Sequence, residues 1–146
     1  MKKKLLTWTN RLYMLIFCVT LFYTGTQFER SIVAITLFNA FPFYLFIPVT
    51  LYGILLLIGK RLANNPQYPA SYCVAAIATL AISGLFWWYM IYIYHVGTSL
   101  SERWIDYLGW PGFVFLCALL IAVFYVICAV ITRREHKETA ELPKTE

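Results

Sequence analysis

The sequence predicts an all-α integral membrane protein, built as an antiparallel bundle of four transmembrane helices with a short interfacial helix on the outer face. Three observations support this prediction. The chain of 146 residues is 61% hydrophobic and only 13% charged, whereas soluble domains are about a quarter charged. Its apolar residues form four long runs with polar connections. Its aromatic share of 18% suits the membrane–water interface, where Trp and Tyr are enriched.

Four runs are long enough to be spans, because a spanning helix needs about 20 mainly apolar residues. They cover about residues 12–28, 32–58, 72–95 and 110–132. Residues 1–132 are therefore predicted to form one membrane domain, and residues 133–146 a polar cytoplasmic tail. The tail has mixed charges and one large apolar residue, Leu142, so beyond one or two helical turns we expect disorder.

The first run has an alternative interpretation as a signal peptide, since MKKKLL resembles a charged n-region. Arg11 interrupts the apolar residues, however, and no small-residue cleavage site follows. The LIFC sequence ending at Cys18 weakly suggests a lipoprotein box, but the bulky Phe17 before the cysteine disfavours cleavage. We therefore expect an uncleaved first span.

The distribution of Lys and Arg predicts the orientation. Ten of the twelve fall on one side of the predicted bundle, and the positive-inside rule makes that side cytoplasmic. They are Lys2, Lys3, Lys4, Arg11, Lys60, Arg61, Arg133, Arg134, Lys137 and Lys144, whereas Arg30 and Arg103 fall on the other side. Both termini are then cytoplasmic, and we expect a multi-pass protein of the cell inner (plasma) membrane. Because these cations stand at the ends of spans, the net charge of +5 does not indicate nucleic-acid binding.

The connections between spans differ in kind. Gln27–Ser31 is predicted to be a tight outer turn, which makes the first two spans a hairpin. Lys60–Ser71 is predicted to be a stiff cytoplasmic loop, because Pro66 and Pro69 restrict the residues before them.

The outer connection SLSERWIDYLG, residues 99–109, predicts a short amphipathic helix on the membrane surface. Ser99 followed by Glu102 matches a capping box. Gly109 is typical of the end of a helix, and Pro111 is typical of the first turn of the next one. Apolar residues recur at helical spacing: Leu100, Trp104 and Leu108. An irregular polar loop is the alternative, since the segment is barely two turns long.

The second run contains FNAFPFYLFIP, in which Asn39, Pro42 and Pro48 interrupt an uncharged stretch. A proline inside a helix removes a backbone hydrogen bond, and a straight helix over 32–58 would be about 40 Å long. The hydrocarbon core is about 30 Å thick, so we predict a bent span with Asn39 facing the bundle. The bend is either a substrate or ion site, as in transporters, or only packing. Packing is favoured, because no ionisable residue falls in mid-membrane.

The third run carries small residues at steps of four: Ser71, Ala75, Thr79 and Ser83. Such a stripe lets helices approach closely, either inside the bundle or against a partner's helix, and internal packing is favoured. After Gly84 the sequence FWWYMIYIYH is typical of an interfacial belt of aromatic residues, with a ring-lined pocket for an apolar ligand as the alternative.

Polar residues near the outer edge are the remaining candidates for function: His95, Glu102, Arg103 and Asp106. Nearness in sequence does not make a catalytic triad, and neither a HExxH nor a GxSxG motif is present. The four cysteines form no Cys-x-x-Cys pair, which favours packing over redox or metal chemistry. We therefore predict no enzyme activity, no metal and no cofactor.

The function that this sequence predicts is non-catalytic. We expect an accessory, sensor or immunity-type partner of another membrane or membrane-inserting protein. The alternative is a subunit of a small oligomeric transporter or channel that uses the Pro-bent second span. The expected partners are the lipid bilayer and either another membrane protein or further copies of this chain.

Overall fold

The computed structural model describes residues 1–35, 41–65, 68–95 and 110–141, with side chains described for residues 1–22, 47–65, 68–88 and 112–141. Within these ranges every regular element is a helix. They are α1 (Lys2–Ile35), α2 (Phe41–Asn64), α3 (Pro69–His95) and α4 (Trp110–Glu141). Each contains a segment long and apolar enough to cross a membrane, namely Lys2–Phe22, Ile47–Asn64, Pro69–Trp88 and Gly112–Glu141. The prediction of an all-α chain with four such helices is confirmed.

Two of the later helix boundaries agree with the sequence prediction. α3 ends at His95 and α4 begins at Trp110. Pro69 is the first residue of α3, and Pro111 is the second residue of α4. Proline is tolerated at such positions, because the first N–H groups of a helix have no partner within the helix.

The predicted turn at Gln27–Ser31 is wrong, since α1 continues through it to Ile35. The residues QFERS contain neither proline nor glycine, and Gln, Glu and Arg are good helix formers. α2 begins at Phe41, so Pro42 lies in its first turn rather than in the middle of a span. The predicted bend at Pro42 inside one helix over 32–58 is therefore also wrong. Pro48 does lie inside α2, where it is buried.

The cytoplasmic connection predicted over Lys60–Ser71 is much shorter in the structure. α2 extends to Asn64, and the N–H of Asn65 donates to the carbonyl of Arg61 at 3.1 Å. α3 then begins at Pro69.

The two terminal helices are longer than predicted. α1 begins at Lys2 rather than near residue 12, and α4 continues to Glu141, about two and a half turns past Thr132. The Thr139 hydroxyl donates to the Glu135 carbonyl within this extension, and Glu and Lys in it are good helix formers.

Each helix packs most extensively against two others: α1 against α2 and α4, and α3 against α2 and α4. One buried core joins all four. Its largest fully buried side chains include Tyr13, Tyr52, Tyr72, Tyr125, Leu6, Ile16 and Ile121. Every helix also exposes large apolar side chains, for example Phe22 (76% exposed), Leu57 (64%), Ile77 (68%) and Leu116 (61%).

Candidate functional site

Four fully buried tyrosines form the most distinctive polar feature of the core, and each helix contributes one of them. Tyr13 comes from α1, Tyr52 from α2, Tyr72 from α3 and Tyr125 from α4. We call them the tyrosine cluster. A tyrosine combines a large apolar ring with a hydroxyl that needs a hydrogen-bond partner when it is buried. The cluster therefore brings polar groups into the interior of an otherwise apolar bundle.

Tyr125 lies between two of the other rings. Its ring centroid is 6.2 Å from that of Tyr13 and 6.2 Å from that of Tyr72, both in tilted arrangements. Tyr52 packs instead edge-to-face on Phe86, with centroids 5.9 Å apart and planes at 81°. Both distances fall in the range where aromatic pairs attract each other.

Two of the four hydroxyls bind directly to α3. The Tyr52 hydroxyl donates to Ser83 Oγ at 3.0 Å, and the Tyr13 hydroxyl is hydrogen-bonded to Thr79 Oγ1. The Thr79 hydroxyl donates to the Ala75 carbonyl at 2.7 Å, so Tyr13 must be the donor in its pair with Thr79. Thr79, Ser83 and Ala75 belong to the predicted stripe of small residues. The favoured reading of that stripe as internal packing is confirmed.

The other two hydroxyls have a different environment. Among the described residues, no group lies within ordinary hydrogen-bond geometry of the hydroxyl of Tyr72 or Tyr125, or of the buried side-chain oxygen Asn10 Oδ1. Gly59 of α2 lies beside two of these atoms. The position of a Cβ at Gly59 would be 2.8 Å from Asn10 Oδ1, 2.9 Å from the Tyr125 hydroxyl and 3.2 Å from Tyr13 Cδ2. We call Asn10, Gly59, Tyr13 and Tyr125 the Gly59 site.

A third polar contact joins the start of α1 to the end of α4. Lys2 Nζ lies 2.8 Å from Glu135 Oε2 and donates to Thr132 Oγ1 at 3.1 Å. Thr132 in turn donates to the Cys128 carbonyl at 2.8 Å. The Lys2 side chain is only 13% exposed, whereas that of Glu135 is 55% exposed. We call Lys2, Thr132 and Glu135 the terminal contact.

The polar groups of the described interior are mainly hydrogen-bonding groups without charge. Among the described residues, the buried polar side chains are those of Tyr, Thr, Ser and Cys, to which the half-buried Asn10 adds its buried Oδ1, and none is that of Asp, Glu, His, Lys or Arg. Over the same part of the chain, no group of three His, Cys, Asp or Glu side chains is placed to hold a metal ion. The described interior can therefore join helices or hold a neutral hydrogen-bonding ligand, but it has no general acid–base pair.

Of the predicted site residues, the structure describes the side chain of Pro48 alone. Pro48 is buried inside α2, and Pro42 and His95 lie on helices but their side chains are outside the described residues. The remaining predicted residues also lie outside the described part of the chain: Asn39, Glu102, Arg103 and Asp106. The predicted interfacial helix over 99–109 lies there too.

The sequence analysis missed the tyrosine cluster and the Gly59 site. A usable signal was present, since each apolar run holds a tyrosine away from the aromatic belt, and buried hydroxyls require partners. Ionisable groups in the spans, which are the usual sign of an intramembrane site, are absent among the buried side chains that the structure describes.

Comparison with known proteins gives no relative: no protein-family model, no curated protein and no solved structure matches this chain.

Proposed function

We propose that the protein is a multi-pass protein of the cell inner membrane whose four helices cross the bilayer as an antiparallel bundle. The exposed apolar side chains on all four helices support this proposal. A monomeric soluble protein rarely exposes apolar surface so widely, whereas lipid-facing surfaces consist of such side chains.

Neighbouring contacts support the antiparallel arrangement. Asn10 of α1 lies beside Gly59 of α2, and Phe17 lies beside Gly53, so residue numbers rise along α1 while they fall along α2. Two ring contacts show the same for α3 and α4. Tyr72 lies beside Tyr125, and Trp87 lies 6.0 Å from Phe115 between ring centroids, so residue numbers rise along α3 while they fall along α4.

The terminal contact supports placing both ends of the chain on the same side. Exposed cations at that end, including Lys3, Lys60 and Arg133, make the cytoplasmic side the expected one. Arg11 lies within α1, where its guanidinium is 5.2 Å from the centroid of the Trp8 ring. This cation–π pair is suited to the membrane interface, where a long cationic side chain reaches toward the headgroups.

Labelling of single cysteines tests this topology. In a variant whose four native cysteines are replaced by alanine, Lys137→Cys and Lys3→Cys should resist a membrane-impermeant maleimide in intact cells. Both should react after the cells are opened, whereas Trp104→Cys should react in intact cells. Reaction of Lys137→Cys in intact cells would overturn the orientation.

For the role itself, we propose a non-catalytic partner of another membrane protein, in the class of accessory subunits, sensors and immunity-type protectors. One observation carries this proposal. In the described residues, the buried hydroxyls of Tyr13 and Tyr52 bind another helix of the same chain, while each helix presents apolar side chains outward. Such a surface is suited to contacts with lipid and with the helices of other membrane proteins.

Photo-crosslinking from each helix tests the proposed role. A photoreactive amino acid is placed at Phe22, Leu57, Ile77 or Leu116, one exposed position per helix, and at Ile121, which is fully buried, as the matched control. We expect one protein of defined size to crosslink from one or two adjacent helices and never from Ile121. It should also co-purify in stoichiometric amount in mild detergent. Crosslinks to lipid alone from all four exposed positions would refute the proposal.

The second candidate is a subunit of an oligomeric transporter or channel. Pro48 favours it, because this proline is buried inside α2 and leaves the carbonyl of Tyr44 without its helical donor. Broken helices line sites in transporters. Crosslinks only between copies of this chain, with solute or ion flux in vesicles, would select this candidate over the first.

A further inference from the structure

We infer that the Gly59 site binds one water molecule inside the bundle, held between the Asn10 side-chain oxygen and the Tyr125 hydroxyl. The inference goes beyond the proposed function and does not depend on it. It concerns a binding site for a small hydrogen-bonding ligand at the place where α1, α2 and α4 meet.

The geometry of the two oxygens carries the inference. Asn10 Oδ1 and the Tyr125 hydroxyl lie 2.8 and 2.9 Å from one point, the Cβ position of Gly59. Two atoms within 2.9 Å of one point are less than twice that distance apart, which a single water can bridge with hydrogen bonds of normal length. Over the described residues neither oxygen has a hydrogen-bond partner, so the two do not bond each other directly.

The chemistry of the two groups also fits water. Asn10 Oδ1 can only accept a hydrogen bond, whereas a tyrosine hydroxyl can both donate and accept. A bridging water donates one proton to Asn10 Oδ1 and accepts from, or donates to, the Tyr125 hydroxyl. The Tyr13 hydroxyl lies close to that of Tyr125. Because the Tyr13 proton goes to Thr79, the Tyr13 oxygen can only accept from Tyr125, and the Tyr125 oxygen can then accept from the water. Buried waters typically bind groups of this kind that would otherwise be unsatisfied.

Gly59 allows the two oxygens to come this close to the α2 backbone, because it has no side chain. An alanine there would place its Cβ closer to both oxygens than real Cβ atoms essentially ever come. Gly53, six residues earlier on the same helix, would meet Phe17 at an ordinary 3.5 Å. Of these two glycines of α2, only Gly59 therefore has polar side-chain atoms close to its Cβ position.

Radiolytic hydroxyl-radical footprinting of the full-length protein in detergent tests the inference, because radicals formed from a bound water oxidise the side chain beside it. The extent of oxidation of Tyr125 should be well above that of Tyr52, which is equally buried but whose hydroxyl is hydrogen-bonded to Ser83. Exposed Tyr68 serves as the positive control. Gly59→Ala should reduce oxidation of Tyr125 several-fold, whereas Gly53→Ala should leave it unchanged.

A second variant covers the case in which Gly59→Ala does not fold. Asn10→Leu removes the accepting oxygen at similar size, and it should also lower Tyr125 oxidation several-fold while the protein elutes as the wild type does on size exclusion. Tyr125 oxidation no higher than that of Tyr52 in the wild type would overturn the inference. So would oxidation that persists unchanged in Asn10→Leu.

Discussion

Two tyrosines of the same core, Tyr52 and Tyr125, use their hydroxyls in different ways. Both are fully buried. The Tyr52 hydroxyl bonds directly to Ser83 and joins α2 to α3, whereas over the described residues the Tyr125 hydroxyl has no protein partner and faces Gly59 and Asn10. Direct bonds between helices hold a single arrangement. Polar groups that lie close together without bonding each other can instead bind a small ligand between them, as we infer for the Gly59 site.

The difference also appears in the glycines of α2. At Gly53 the neighbouring group is the ring of Phe17, at a distance that an added methyl group tolerates. At Gly59 the neighbours are two polar oxygens and a tyrosine ring, all closer than an ordinary contact. One glycine therefore lies in apolar packing, and the other lies in a polar site that a side chain would fill.

The largest expected effect comes from Gly59→Ala. Overpacking a crowded site costs about 1–3 kcal/mol, against a gain of about 1 kcal/mol in helix propensity, so we expect a net loss of up to about 2 kcal/mol. Gly53→Ala and Gly84→Ala are the matched controls, since Gly84 has no described atom within 4 Å of its Cβ position. Both should be neutral or stabilising by up to about 1 kcal/mol. Reversible unfolding in micelles measures all three, and equal stability of Gly59→Ala and Gly53→Ala would remove the contrast between the two sites.

A smaller effect should separate Tyr52→Phe from Tyr125→Phe. Removing the Tyr52 hydroxyl leaves the buried Ser83 hydroxyl without its donor, and polar contacts between membrane helices contribute about 0.6 kcal/mol on average, with a maximum near 1.7 kcal/mol. We expect Tyr52→Phe to lose about 1 kcal/mol. Tyr125→Phe should lose less, because among the described residues no protein group loses a partner.

Thermal unfolding of both variants in the same detergent measures this difference. A larger loss for Tyr125→Phe than for Tyr52→Phe would mean that the Tyr125 hydroxyl is the more strongly bound of the two. The assignment of the two tyrosines to different roles would then be reversed.

The smallest effect concerns the terminal contact, which is partly exposed, in contrast to both interior regions. Ion pairs of this kind contribute about 0.2–1 kcal/mol and weaken as salt screens them. In a double-mutant cycle with Lys2→Met and Glu135→Gln, we expect a coupling energy within that range that falls between low and high salt. A coupling energy of zero at low salt would show that the contact does not fasten α1 to α4, and the hydroxyl bonds of the core serve as the salt-independent comparison.

The sequence by itself determined that the chain is all-α with four helices able to span a membrane, and it located the end of α3 and the start of α4. These features follow from local properties, because run length, hydropathy and a proline in a first helical turn act within a few residues. The break between α1 and α2 was misplaced, because helix-forming Gln, Glu and Arg at 27–31 outweighed the polarity that suggested a turn.

Only the tertiary structure decided which apolar faces are inside. In a soluble helix the polar face marks the outside, but here Phe22, Leu57 and Leu116 are as apolar outside as Ile16 and Ile121 are inside. The four tyrosines therefore could not be assigned to one core from their sequence positions. The Gly59 site depends in the same way on Asn10 and Tyr125, which belong to other helices. A packing constraint between residues so far apart in the chain leaves no periodic pattern in any one helix.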